Sequence, residues 1–479
     1  MKSKFKKQLR VLTAFWVVLI IHSISFDEIQ AQEFLFEKNI KLPSANNLGY
    51  PVGDIIAADG KLFLYSSEGI IYYNPYVIPI VYGFIDFPGH FGKYNSLVSG
   101  NGGNDANLMT LNETDHLLYV VTPSLEIMKI STTNPGSSGS IIMNTPDSIS
   151  HFQTLHGYNV IKYDSYHDRL YWLVEGRNED NHTGNFHFRD TYLVVYKVST
   201  NGNTLTYINS LLTIGHEAGQ YMETIYDVEF NETNNYFYVA KKRHLEVWQI
   251  SENPGTFTLV NYIKTLAGKF GKLLYVRNGN QIHKILAFPF RLPFTGCGYE
   301  YEPPMESDIR FFSIDGDNPF QVDSVLAPSK RINDAVYLSG YDDLVLCYAP
   351  DEFIQDNVVP QNSDVAFYHF DGDLFTHNYY WNLNTNSFPQ YNDNEQLMNQ
   401  PNKMFANSSS SIILGKTHEI VRIYKNNGEY QSGKILAAES NCFSKTVKIS
   451  FKDYIINPTL NGLTVYNEST SEITHTRIA

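Results

Sequence analysis

The chain has 479 residues, a formal net charge of −14, only 18% charged residues, and 14% aromatic residues that include 34 Tyr and 30 Phe. So acidic a balance repels phosphate backbones and anionic lipid, which argues against nucleic acid as a partner. A chain this long buries enough apolar surface to fold without a disulfide framework. Low charge combined with many aromatics suits pleated, half-buried strands, so the composition predicts an all-β protein.

At the start of the chain, Lys2, Lys4, Lys6, Lys7 and Arg10 precede an apolar run from Val11 to Phe26. That is the order of a signal peptide, with Ala31 as the small residue before cleavage at Gln32. The run is shorter than the ~20 residues a spanning helix needs, carries His22 and ends in Asp27 and Glu28. Residues 1–31 are therefore expected to be removed, leaving 32–479 as one exported domain with no membrane span. The leader contributes +3 (five basic residues against two acidic ones), so the remainder carries −17. The expected location is periplasmic, cell-surface or extracellular, in the style of a Gram-negative bacterium.

A strand is expected at Phe34–Leu42, and after it one layout recurs: a short apolar strand, a turn rich in Asp, Asn or Gly, an aromatic second strand, an alternating third, then an Asn-Pro or Asn-Gly turn. It runs through Ile55–Pro75, Leu108–Gly136, Val160–Gly202, Val228–Gly255, Leu273–Pro319, Ala335–Asp373, Met404–Gly428 and Val447–Glu468. Two copies align almost turn for turn. Asn-Glu-Thr stands at Asn112–Thr114 and again at Asn231–Thr233, and IMKIS and VWQIS each lead into Asn-Pro-Gly. Such turns supply the positive or fixed φ that tight hairpins require. A lone sheet of this kind leaves apolar faces and open edges, which radial stacking of copies covers. The second strands recur roughly every 45 to 65 residues, the spacing of four-stranded units.

The repeats resemble the broad class of secreted β-propellers of the WD40-like and YVTN-like kinds, with YVVTP at Tyr119–Pro123 and YVAKK at Tyr238–Lys242 echoing the second-strand motif. There is no Trp-Asp dipeptide and no regularly repeated Gly-Gly pair of the kelch type, so the resemblance carries a fold and no family activity. It implies a single propeller of about eight four-stranded blades, or seven if the last copy is not a full blade. The final copy offers three strands, Thr446–Phe451, Tyr454–Asn457 and Gly462–Asn467, so the N-terminal strand is expected to supply the fourth and close the ring. NPTLNGLTV at Asn457–Val465 is also similar to the start of C-terminal sorting domains of type IX secretion substrates, but it is read here as part of the last blade.

Candidate chemistry falls in three places. Short polar residues stand near the first strands at Asp54, Asp105, Asn159, Asp227, Asp334 and Asn402; a ring of them near the channel suits a cation or polar ligand, while strand capping is their commoner use. His182, His187, His216 and Glu217 are the weak metal candidates, at a spacing matching no standard ligand motif. Tyr299 and Tyr301, beside Glu300 and Glu302 in a long loop, suit stacking on a sugar or gripping a peptide. Cys297, Cys347 and Cys442 show no metal spacing. No cofactor fingerprint or nucleophile motif occurs. The expectation is a secreted, non-catalytic module that binds an extracellular protein or glycan. The alternative is a polysaccharide lyase or glycoside hydrolase working at the channel mouth.

Overall fold

The computed structural model describes residues 35–36, 51–66, 69–73, 82–87, 108–137, 139–144, 148–150, 154–177, 189–214, 216–217, 220–221, 225–231, 234–241, 244–253, 255–264, 272–278, 281–288, 309–313, 321–326, 332–348, 365–370, 375–381, 401–408, 411–416, 419–426, 428–437, 447–449, 454–459, 462–467 and 472–474. Among these, every regular element is a strand except one 3-10 turn at Pro135–Ser137. The protein is all-β, as its composition predicts.

The strands pair in chain order. Pro51–Ala58, Lys61–Ser66, Gly69–Tyr73 and Tyr82–Asp86 form a four-stranded antiparallel sheet whose neighbours are consecutive in sequence. The same order recurs over 109–143, 154–214, 225–264, 272–326, 332–381 and 401–437. Each of these spans one sequence repeat.

Local chemistry sets the first hairpin of each repeat. Asp59 and Gly60 have φ of 46° and 75°, the pair of positive values that a two-residue type I′ turn demands. His116, Asp168 and Asp342 occupy the same place just before the second strand, with φ of 54°, 52° and 53°. Asp is among the few side chains that tolerate this region. In two copies a tyrosine five residues upstream fixes the turn: Tyr163 donates to Asp168 Oδ1 and Tyr337 to Asp342 Oδ1, each at 2.9 Å.

The recurring Asn-Glu-Thr has an equally local cause. Asn112 and Asn231 are buried, and each amide faces the tyrosine seven residues on, Asn112 Nδ2 to Tyr119 at 3.5 Å and Asn231 Nδ2 to Tyr238 at 3.0 Å. Burial raises both tyrosines to a pKa of about 12, against the opposing pull of the asparagine. A buried polar group without its partner costs about 1–3 kcal/mol, so the asparagine and the tyrosine must recur together.

The second strands are buried on both faces: Leu62 to Tyr65, Leu118 to Val121, Leu170 to Val174 and Phe237 to Ala240 are all shielded from solvent. A strand in a sheet with one wet face alternates; an unbroken buried run means that both faces are covered. The clusters of buried side chains accordingly lie between successive sheets. One joins the 51–86, 109–143 and 154–214 sheets through Phe63, Tyr119 and Trp172. Another joins 154–214 to 225–264 through Tyr171 and Phe237, and a third joins 332–381 to 401–437 through Phe367 and Tyr430. First strands of neighbouring sheets also touch, as Pro51–Ala58 does Met109–Asn112 and Lys272–Asn278 does Ile332–Leu338.

The last sheet departs from expectation. Val447–Ile449, Tyr454–Thr459 and Gly462–Asn467 are followed by a fourth strand of the chain's own, Glu472–Thr474. Its Glu-Ile-Thr carries two β-branched residues directly after a run of polar residues in the sequence, a short strand signal easily passed over. The N-terminal strand, Leu35–Phe36, does join this sheet, but as an additional member, parallel to Glu472–Thr474 and antiparallel to Gly462–Asn467.

Candidate functional site

The first strands hold the short polar residues that the sequence singles out, and the structure gives them a common place. Register breaks at Pro51/Ile55, His156/Asn159, Ile225/Asp227, Ile332/Asp334 and Pro401/Lys403. Asp54, Asn159, Asp227, Asp334 and Asn402 therefore all sit in or beside a β-bulge of a first strand. A bulge leaves ladder amides unpaired. Asp227 shows what the carboxylate does about this. Its Oδ1 accepts from the Val228 amide at 2.9 Å, and its Oδ2 accepts from Leu273 N of the next sheet at 3.0 Å. Lys162 of the preceding sheet donates to Asp227 Oδ1 at 2.9 Å, to Glu229 Oε1 at 2.7 Å and to the Val228 carbonyl at 2.7 Å. Burial alone would lower the Lys162 pKa, but Asp227 and Glu229 outweigh it and raise the value. Asp227 is thus a staple across three successive sheets, with both oxygens engaged.

His216 and Glu217 form a two-residue strand paired with Gln220–Tyr221, between the 154–214 and 225–264 sheets. Asp105, His182, His187, Tyr299 and Tyr301 lie outside the described residues, as do Cys297 and Cys442. Among the described residues no group of three His, Cys, Asp or Glu side chains is placed to hold a metal ion.

A pocket that sequence reasoning missed lies at the seam of the 154–214 and 225–264 sheets. It encloses about 620 Å³ and is lined by Tyr166, His167, Asp168, Arg169, Lys197, Asn235, Gln249, Ile250, Ser251, Glu252 and Thr258. Three of these, Tyr166, His167 and Asp168, lie in the first hairpin turn of one sheet, and Arg169 opens the strand that follows. The rest come from strand ends of both sheets on that same side.

The wall is built outward from Asp164. Its fully buried carboxylate accepts from the amides of Tyr166 at 3.0 Å and His167 at 3.2 Å, and from His167 Nδ1 at 2.8 Å. The ring must therefore carry its proton on Nδ1, because the carboxylate can only accept. Arg169, 2% exposed, donates to Glu252 Oε1 through Nε at 3.0 Å and Nη2 at 2.8 Å, and to Asn235 Oδ1 at 2.7 Å. Lys197 donates to the same Glu252 oxygen at 3.2 Å and to the His167 carbonyl at 2.8 Å. Burial alone would raise the Glu252 pKa, but the hydrogen bonds and charges of Arg169 and Lys197 prevail and hold it below the ordinary glutamate value. Glu252 therefore stays ionised and locks two sheets together across the pocket floor.

What remains unsatisfied defines the site's capacity. Glu252 Oε2, Asp168 Oδ2, His167 Nε2 and the side chains of Gln249, Thr258 and Tyr166 make no hydrogen bond among the described residues. Tyr166 is 56% exposed at this turn. The pieces come from positions up to 83 residues apart. The one sequence signal was a cluster of charges at strand ends in a chain with few charges: Asp168-Arg169, Lys197 and Glu252.

A related junction joins 332–381 to 401–437. Asp343, fully buried, accepts from Lys425 at 2.9 Å, Tyr430 at 2.6 Å and His369 Nδ1 at 2.9 Å. Between 51–86 and 109–143, Asp59 takes His116 Nδ1 at 3.0 Å and the Thr132 hydroxyl. Sheets are thus fastened to one another by polar clips beside the first hairpin turn.

With this geometry in hand, comparison with known proteins defines the class. No known sequence family matches the chain, and no curated protein does. Among solved structures, Sqt1 of Saccharomyces cerevisiae, a WD40 protein, superposes with a TM-score of 0.56 over 92% of this chain and 100% of its own, at 8% identity. The periplasmic gluconolactonase PpgL of Pseudomonas aeruginosa gives a TM-score of 0.43 over 73% of this chain and 90% of its own, at 9% identity. At such identities only the fold is shared, and the first of these likenesses carries that conclusion. The chain has a β-propeller-like fold.

Proposed function

We propose that this chain is an exported propeller of about eight blades that works as a binding module, holding an extracellular protein or glycan on the side of its first hairpin turns. Contact between Pro51–Ala58 and Val447–Ile449, and the pairing of Leu35–Phe36 with the last sheet, support a closed ring. The basic and apolar leader supports export.

The observation that carries the binding reading is the seam pocket. It has the volume of ordinary ligand sites, and its strongest groups are committed to structure: Arg169 and Lys197 to Glu252, and His167 to Asp164. A hydrolase or lyase needs an acid, base or nucleophile free to turn over. Here the Arg169, Lys197 and Glu252 cluster braces the wall. The test is to immobilise the mature chain and screen it against a glycan array and a panel of extracellular proteins, while assaying a polysaccharide panel for new reducing ends or unsaturated products. Saturable binding without turnover is expected. Release of products would overturn the reading in favour of a glycan-active enzyme.

A further inference from the structure

Resting on the reading of the seam as a ligand site, we infer that the unit it takes is an uncharged sugar residue of a glycan. The electrostatic ledger of the pocket comes first. Arg169 and Lys197 both pair with Glu252, Asp168 adds a second carboxylate to the lining, and His167 is held by Asp164. No positive charge is left over for a phosphate, sulfate or uronate. The two carboxylate oxygens without a protein partner, Glu252 Oε2 and Asp168 Oδ2, would repel such a group. A cationic ligand would in turn meet Arg169 and Lys197, which share the pocket with those oxygens.

The hydrogen-bonding valences point the same way. The open acceptors are Glu252 Oε2 and Asp168 Oδ2; the Gln249 amide and Thr258 hydroxyl both donate and accept. Neighbouring hydroxyls on a sugar ring both donate and accept, so one such unit satisfies mixed valences that a carboxylate or ammonium cannot. Tyr166 supplies the apolar complement. The residue is 56% exposed, and its backbone is fixed by the bond from its amide to Asp164, so an amphipathic aromatic surface stands at the pocket at low entropic cost. The clip from Arg169 to Glu252 makes the floor rigid before any ligand arrives, which favours affinity through preorganisation.

The experiment uses the whole mature chain, titrated calorimetrically with neutral gluco-, galacto- and manno-oligosaccharides, a uronate oligosaccharide and the proteins of the panel. Binding of a neutral oligosaccharide is expected, with an affinity little changed between low and high salt because exposed-charge attraction is screened and here contributes little. Tyr166→Ala and Gln249→Ala should each weaken binding about 10-fold, the loss of about 1.4 kcal/mol, with unchanged urea midpoints. Preference for the uronate, or affinity that falls steeply with salt, overturns the inference and leaves the binding module standing. So does glycan binding that both variants retain, which places the site elsewhere, or binding of proteins alone. Absence of any binding overturns both.

Discussion

Glu252→Ala and Arg169→Met delete the same ion pair, yet the structure predicts unequal costs. The Arg169 side chain is 3% exposed, whereas that of Glu252 is 36% exposed and that of Lys197 40%. Removing Glu252 strands a guanidinium that cannot shed its proton and keeps, among the described residues, only Asn235 as an acceptor. Orphaning one member of a buried pair costs about 3–5 kcal/mol. The retained Asn235 bond and the water that reaches the Glu252 position reduce this to an expected ~2 kcal/mol. Arg169→Met instead removes the buried charge, fills much of the same volume and leaves Glu252 hydrated and still beside Lys197. That loss resembles an exposed pair, about 1 kcal/mol or less. The double variant should be more stable than Glu252→Ala alone, since it no longer buries an unpaired cation.

Urea unfolding at pH 7, followed by tryptophan fluorescence, measures the three differences in a double-mutant cycle. The reasoning is refuted if Arg169→Met costs as much as Glu252→Ala, or if the two losses simply add. Either result would mean that the guanidinium is solvated in the folded chain and that the pocket floor is not the rigid clip described above.

Other positions make sharper local claims. Asp343→Ala should cost about 3 kcal/mol by orphaning Lys425 beneath Tyr341 and Tyr430, and adding Lys425→Met should restore part of it; no restoration in urea titrations would count against the charge argument. Gly255→Ala should destabilise by clearly more than the ~1 kcal/mol typical of a positive φ, because at φ +79° its Cβ would come 2.9 Å from the Ile208 carbonyl, whereas Gly60→Ala, at φ +75° with nothing within 4 Å, should lose only the backbone share; equal thermal shifts would contradict this. Asp59 and Glu252 both have folded pKa values below their ordinary values of 3.8 and 4.5. Each therefore contributes stability that is fully present above its ordinary value and is lost as pH falls through the folded one. Unfolding midpoints should decline on acidification below about pH 4.5, and Glu252→Gln should flatten the upper part of that decline.

Much of the architecture was legible in the chain because its causes are local. Asp59-Gly60 and Asp168 place a turn wherever they occur, since few other residues accept positive φ, and the aromatic second strands follow within a few residues. Asn112 with Tyr119, and Asn231 with Tyr238, recur as words in the sequence because each pair satisfies one buried hydrogen bond within one hairpin. Asp227 was visible as a recurrent polar residue on a first strand, but its task was not. Whether such a carboxylate faces a ligand or a neighbouring amide depends on where Leu273 and Lys162 arrive, and they belong to other sheets. The fourth strand of the last sheet was missed because three residues carry too little pattern to stand out.

The sequence by itself determined an all-β chain of repeated hairpins, through alternation and turn chemistry that act over fewer than about ten residues. Only the tertiary structure decided which surfaces became seams and which polar groups met across them. Arg169 and Glu252 lie 83 positions apart, and Lys425 and Asp343 82 apart. No local preference couples residues at such distances. The pocket exists because two sheets stack face to face and bring their strand ends together, and that is a property of packing rather than of any motif.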